Sequence, residues 1–167
     1  MLTRFLSRLR RISPAPRLGA VKARPRSLNL EALEAREVPA IIYALNGTPG
    51  SNNTLLRFDS AAPGTIVSTT PVTGLGAGET LQAIDYRPRT GQLVGITFPA
   101  ASTGDNPAKT YTINPLTGAA TLVGTSTAIT NGSDSVSGDI DFNPTVDRLR
   151  YVSEALANAR LNPNNGA

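Results

Sequence analysis

The sequence LQAIDYRP at residues 81–88 returns as SGDIDFNP at residues 137–144, and this recurrence decides how the fold is interpreted. A second motif, YTINPLTGA at residues 111–119, returns as ARLNPNNGA at residues 159–167. The chain is therefore predicted to be built from repeats. The positions that we assign to repeat construction are Ile84, Asp85, Tyr86, Pro88, Asn114, Pro115, Gly118, Ile140, Asp141, Phe142, Pro144, Asn162, Pro163 and Gly166.

Short β-prone runs, separated by clusters of Gly, Pro, Asn and Asp, predict ten strands and an all-β fold. Three strands form an incomplete first unit, four form a complete second unit and three begin a third. The predicted strands are Ile41–Leu45, Thr54–Asp59 and Thr65–Val72, then Leu81–Tyr86, Gln92–Thr97, Thr110–Asn114 and Ala119–Gly124, and finally Gly138–Phe142, Arg148–Ser153 and Asn158–Asn162.

The turns between these strands have hairpin chemistry. Residues 87–91 and 115–118 place Pro where a φ near −65° is needed and Gly where φ is positive, while the corresponding turn at residues 144–147 ends in Asp. Consecutive strands should therefore pair antiparallel. Four-stranded antiparallel units of this kind predict a partial β-propeller-like array of about two and a half blades, whereas a closed propeller has about four to eight. We accordingly expect a chain truncated at its C-terminus, or one that associates with further blades of the same protein.

The region from Ile41 to Ala167 resembles the uncharacterised bacterial domain family 4394, whose members carry similar Ile-Asp-Phe-Asn-Pro and Asn-Pro-x-Thr-Gly-Ala repeats. The corresponding residues here are 84–88 and 140–144 for the first motif, and 114–119 and 162–167 for the second. The resemblance implies a propeller-like fold and a secreted setting. It implies no activity and no catalytic residues.

The first 39 residues are predicted to be separate from this repeat domain, which we assign to residues 40–167. Residues 1–27 form a basic leader, either disordered or a short amphipathic helix, and residues 28–39 a short linker helix that Asn29 can cap and Pro39 ends. Within this linker, Leu30-Glu31-x-Leu33-Glu34-x-Arg36 resembles a motif found near the start of exported and surface bacterial proteins. That resemblance implies an extracellular or cell-surface location.

Composition removes several classes of function. The chain has no Cys and no His, which excludes disulfides, thiolate and imidazole metal sites, and Ser-His-Asp triads within it. No tract is apolar enough to predict a transmembrane span. The net charge of +4 comes from eight cations in residues 1–26, since the eight basic and twelve acidic residues that follow give −4. Nucleic-acid binding by the repeat domain is therefore not expected, and binding of nucleic acid or of an anionic surface by the basic leader is a further alternative.

Two carboxylates are the candidate catalytic pair. Asp85 and Asp141 occupy equivalent positions in adjacent units, so both could face one funnel and act as general acid and base. The alternative is structural, because an Asp before a Pro-containing turn commonly accepts hydrogen bonds from turn N–H groups. We favour the structural role and expect no catalytic residue and no organic cofactor.

Calcium is the candidate metal. Asp134, Asp139 and Asp141 lie in a stretch rich in Asn and Asp oxygens, which Ca²⁺ prefers, although the spacing matches no EF-hand. A solvated loop is the alternative. Together these observations predict a non-enzymatic surface or secreted module that binds an unknown extracellular ligand or further blades. The runner-up is an extracellular propeller enzyme that acts on glycans or another small substrate through Asp85 and Asp141.

Overall fold

The computed structural model describes residues 40–47, 53–99, 104–130 and 136–167, and it is all-β in these ranges. The predicted leader and linker helices lie outside the described residues. Within these ranges, ten strands follow one another: β1 Ile41–Leu45, β2 Thr54–Asp59, β3 Ile66–Pro71, β4 Thr80–Arg87, β5 Gln92–Phe98, β6 Asn106–Ile113, β7 Ala120–Ile129, β8 Gly138–Asn143, β9 Arg148–Ser153 and β10 Asn158–Leu161. No helix in the described part is long and apolar enough to cross a lipid bilayer.

The strands form three antiparallel sheets, each made of consecutive strands. The first sheet has the order β1-β2-β3, the second β4-β5-β6-β7 and the third β8-β9-β10. This confirms the all-β fold class and the division of the strands into sets of three, four and three. Each hairpin brings together neighbours in sequence, as the Pro and Gly turns predict.

Two strands extend well past one of their predicted ends. β6 begins at Asn106 instead of Thr110, and β7 continues to Ile129 instead of ending at Gly124. The Asn106-Pro107 pair indicates a turn, but Pro107 pairs with Ala128 beyond the point where the β5–β6 register ends at Lys109. A Pro is tolerated there because no strand needs its missing N–H on that side.

The core consists of two apolar clusters, one on each face of the second sheet. Residues of β5 contribute to them alternately: Leu93 belongs to the cluster shared with the first sheet, whereas Val94, Ile96 and Phe98 belong to the cluster shared with the third sheet. This alternation follows from the two-residue period of a strand. The second sheet is therefore buried on both faces, which explains why all residues of β5 except Gln92 are buried.

The glycines of the repeated turns lie directly against the preceding sheet. A Cβ on Gly118 would lie 2.0 Å from the Pro71 carbonyl oxygen, and one on Gly166 would lie 2.4 Å from the Gly124 carbonyl carbon. Both glycines also have positive φ, at 73° and 76°. The repeated Asn-Pro-x-x-Gly-Ala motif thus ends each turn and fits it closely to the neighbouring sheet.

Candidate functional site

The first candidate residue, Asp85, joins the second sheet to the third. Its Oδ2 accepts a hydrogen bond of 2.8 Å from the backbone N–H of Phe142 on β8, and its Oδ1 accepts one of 2.8 Å from the N–H of Tyr86. The sequence predicts that Asp85 accepts N–H groups of the following turn, but the structure places its carboxylate on these two strand amides instead. Turn N–H groups are bonded by the Asn residues of the motifs, as Asn143 Oδ1 does with Thr145 N at 3.0 Å.

The other candidate carboxylates lie on the solvent side of β8. Asp139 and Asp141 are both exposed and alternate along one face, with Val152 and Arg150 as their partners across the β8–β9 pair. Asp134 lies outside the described residues. Among the residues that are described, no three acidic side chains are grouped in a way that could hold a metal ion. Calcium binding therefore stays a prediction.

A buried ion pair is a second polar contact between the second and third sheets. Arg87, at the end of β4, donates from Nε to Asp147 Oδ1 at 2.7 Å, and its Nη2 bonds both Asp147 Oδ2 and Asn164 Oδ1. The hydrogen bonds raise the pKa of Arg87 and lower the pKa of Asp147. Asp147 occupies the turn position of Gly91 in the preceding unit, and both have positive φ, at 49° and 69°. The third unit thus replaces a turn glycine by a side chain that binds the second unit.

A third polar group, which we call the Glu79 cluster, comprises Glu79, Thr97, Lys109 and Tyr111. Glu79 is only 8% exposed, directly before β4. Its Oε2 accepts hydrogen bonds from Thr97 Oγ1 at 3.0 Å and from Tyr111 OH at 2.8 Å, while Lys109 Nζ bonds Oε1. The Tyr111 hydroxyl in turn accepts the N–H of Gly76 at 3.2 Å, which fixes the connection between β3 and β4.

The electrostatics of the Glu79 cluster favour its charged form. Burial alone would raise the pKa of Glu79, but the hydrogen bonds from Lys109, Tyr111 and Thr97 outweigh burial and hold that pKa below its usual value. The same contact raises the pKa of Lys109. A general acid needs a raised pKa, and a general base needs access to substrate. Glu79 has neither, because its oxygens are already bonded to three side chains.

Cavities on the surface of the described residues include two of several hundred cubic ångströms. One of about 470 Å³ lies between the end of β7 and β10, and one of about 530 Å³ lies against the β5–β6 hairpin. The first is lined by hydroxyls such as Ser126, by Asn158 and by Arg160; the second is lined by apolar and hydroxyl side chains with Gln92 and Asn114. Neither lining includes Asp or Glu, so Asp85, Asp141 and Glu79 are absent from both.

A family model for a domain of unknown function, DUF4394, matches residues 54–167, which is more than half of the chain. The chain belongs to this family. The DUF4394 match begins at the first residue of β2 and continues through the third sheet, so it spans nearly all of the described repeats. No curated protein and no solved structure matches the chain.

The repeated residues of this DUF4394 domain are visible in the sequence, whereas its buried polar groups are not. The Glu79 cluster joins residues up to 32 positions apart, and the Arg87–Asp147 pair joins residues 60 apart. Glu79 and Lys109 lie outside the repeated motifs, and Arg87 occupies the variable position of one. The Glu79 cluster depends on the pairing of β5 with β6, whereas the Arg87–Asp147 contact depends on how the second and third sheets pack. Only Asp147 has a signal in the sequence that could have indicated its role: it occupies the turn position that Gly91 occupies in the preceding unit.

Proposed function

We propose that residues 40–167 form a propeller-like repeat domain that acts outside the bacterial cell, or on its surface, as a non-enzymatic binding or scaffold module. The observation that carries this proposal is the use of the repeat carboxylate: Asp85 bonds the backbone N–H of Phe142 in the next sheet at 2.8 Å. A side chain with this role serves to join units. The ligand is an unknown extracellular molecule or further units of the same kind.

The location rests on the residues that precede the repeats. Leu30-Glu31-x-Leu33-Glu34-x-Arg36 is similar to the motif of exported bacterial proteins, and it lies directly before β1. A full-length chain with a C-terminal tag, expressed in a bacterium, should become accessible to protease added outside the cell. The matched control replaces Leu30, Leu33 and Arg36 by Ala. Equal protection of both tags inside the cell would refute the proposed location.

The non-enzymatic role is tested with the double variant Asp85→Asn/Asp141→Asn. Both proteins are incubated with a panel of chromogenic glycosides while their thermal unfolding is followed by circular dichroism. We expect no turnover above the buffer rate by either protein, and a lower Tm in the variant because the charge-assisted bond to Phe142 is weakened. If the wild type hydrolyses a glycoside and the folded variant does not, the enzyme alternative replaces this proposal.

A further inference from the structure

Among the described residues, the strand β1 has a free edge where its equivalents in the other sheets do not. β5 lies between β4 and β6, and β9 lies between β8 and β10, whereas among the described residues β1 pairs with β2 alone. A free edge exposes a row of unpaired N–H and C=O groups and can accept an added strand. In the described part of the first sheet, no strand lies at the position that β4 and β8 occupy in the other two sheets.

The equivalence of β1 with β5 and β9 follows from register and from side-chain direction. Three cross-strand pairs correspond: Ala44 with Leu56, Gly95 with Tyr111, and Tyr151 with Ala159. The last two pairs face the preceding sheet, and the first faces away from the second sheet. On the opposite face, Tyr43 reaches Tyr86 of the second sheet with ring centroids 6.2 Å apart. Tyr43 thus corresponds to Val94, which belongs to the core shared with the following sheet.

The backbone of β1 presents its odd-numbered residues to the free edge. Asn46 N donates to Thr54 O at 2.9 Å and Ser60 N donates to Ala40 O at 2.9 Å, so the even-numbered residues face β2. In an antiparallel pair the direction of the amides alternates, and Tyr43 and Leu45 therefore point their N–H and C=O groups away from β2. The equivalent of Tyr43 in β5, Val94, lies opposite Asp85 of β4.

Tyr86 of the second sheet is also less covered than its equivalent in the third sheet. It is 39% exposed, while its equivalent Phe142 is 4% exposed under the preceding sheet. The N–H of Phe142 is bonded by Asp85 of that sheet, but the N–H of Tyr86 is bonded by the side chain of its own neighbour, Asp85. An Asp one sheet earlier would stand in the same relation to Tyr86 as Asp85 does to Phe142.

We propose that the free edge of β1 binds an extended polypeptide segment with the Ile-Asp-aromatic-x-Pro signature of β4 and β8. The segment pairs antiparallel with β1 and places its Asp opposite Tyr43, as Asp85 lies opposite Val94 and Asp141 opposite Arg150. Its carboxylate accepts the N–H of Tyr86, and its aromatic residue lies opposite Ile42, as Tyr86 lies opposite Leu93. The interface continues the row that β4 and β8 already form, in which β4 packs against β8.

This inference goes beyond the proposed function, because edge pairing can be measured whether or not the domain is exported or has another ligand. The experiment uses the full 167-residue chain and a synthetic peptide with the sequence of residues 136–145, VSGDIDFNPT. Titration is followed by backbone amide NMR and by hydrogen exchange. We expect slower exchange of the Tyr43, Leu45 and Tyr86 amides, whereas the Ala44 amide, already bonded to β2, changes little and serves as an internal control.

Two variants decide whether the register is correct. A peptide with Ala in place of its second Asp, the equivalent of Asp141, should bind about tenfold more weakly, since it lacks the charge-assisted bond to Tyr86 N. A scrambled peptide should not bind. On the protein, Tyr43→Pro should abolish binding and Tyr43→Phe should preserve it. Absence of binding at millimolar peptide, or binding without protection of Tyr43 and Leu45, would overturn the proposal.

Discussion

Glu79 shows how a buried carboxylate can be stabilised without becoming reactive. Its charge is matched by Lys109 and its second oxygen is bonded by two hydroxyls. A buried group that makes all of its hydrogen bonds contributes to stability, whereas the loss of one partner leaves the others unsatisfied. The Glu79 cluster therefore stabilises the contact between the β3–β4 connection and the second sheet.

The Glu79 cluster gives the domain a predictable response to acid. The folded pKa of Glu79 lies below its usual value of 4.5, so its stabilising contribution is complete above about that pH and is lost as the pH falls through the folded pKa. Replacement by Gln should cost about 1–3 kcal/mol at pH 7 and flatten the loss of stability between pH 5 and 3. Urea unfolding at pH 7, 5, 4 and 3 measures both effects. Glu154→Gln, at an exposed position, is the control; if it flattens the curve equally, Glu79 is not the responsible group.

At the scale of elements, the β8–β9 turn combines two functions in one residue. Asp147 adopts a φ of 49°, which Asp tolerates, and it also pairs with Arg87 of the second sheet. The equivalent Gly91 adopts the same type of conformation but has no atom within 4 Å of a Cβ position. The turn shape is therefore repeated, while the contact to the neighbouring sheet is specific to the third unit.

The element prediction concerns Asp147→Gly, which keeps the turn but removes the acceptor of a buried guanidinium. We expect a lower Tm, and a smaller total effect in Asp147→Gly/Arg87→Met than the sum of the two single variants, because the uncompensated charge is gone. Thermal unfolding of the four proteins completes the cycle. The control, Gly91→Asn, should cost no more than about 1 kcal/mol, since Asn tolerates positive φ. Strict additivity would show that the two residues do not interact.

Most of the fold could be predicted because the strands and turns are local signals. The Gly and Pro turns mark where β4 and β5 meet, and the 56-residue spacing of Ile84 and Ile140 identifies equivalent strands. The ends of β6 and β7 could not be predicted, since Pro107 looks like a turn until the end of the β5 pairing is known. The role of Asp85 as an acceptor between two sheets could not be predicted either, because the amide that it bonds lies 57 residues away in the sequence.

At the scale of the whole described domain, the first and third sheets have different outward faces. The outward face of the first sheet has apolar residues such as Ile42, 38% exposed, and Phe58, at positions where the second sheet buries Leu93 and Ile113. The outward face of the third sheet has Asp139 and Arg150 where the second sheet has Ala83 and Val94. One outer face is therefore suited to contact with an apolar surface, and the other is suited to water.

Self-association should consequently depend on the first sheet. We expect the apparent mass of the chain to rise with concentration in sedimentation experiments, and Ile42→Thr/Ile66→Thr to reduce this dependence, because both side chains are exposed and Thr keeps the strand propensity. Val152→Thr, an exposed change on the third sheet, is the matched control. A mass that stays monomeric at every concentration, or an equal effect of Val152→Thr, would contradict this assignment.

The side chains of β5 alternate between the two apolar clusters, and this also affects how the domain unfolds. Among the described strands, the first and third sheets make their main contacts with the second sheet and not with each other. Such an arrangement behaves as a nearest-neighbour chain, in which either terminal member can fray while the central one stays closed. Opening the central member exposes both clusters at once, so the amides of β5 belong to the slowest-exchanging cooperative unit and report the global free energy of unfolding.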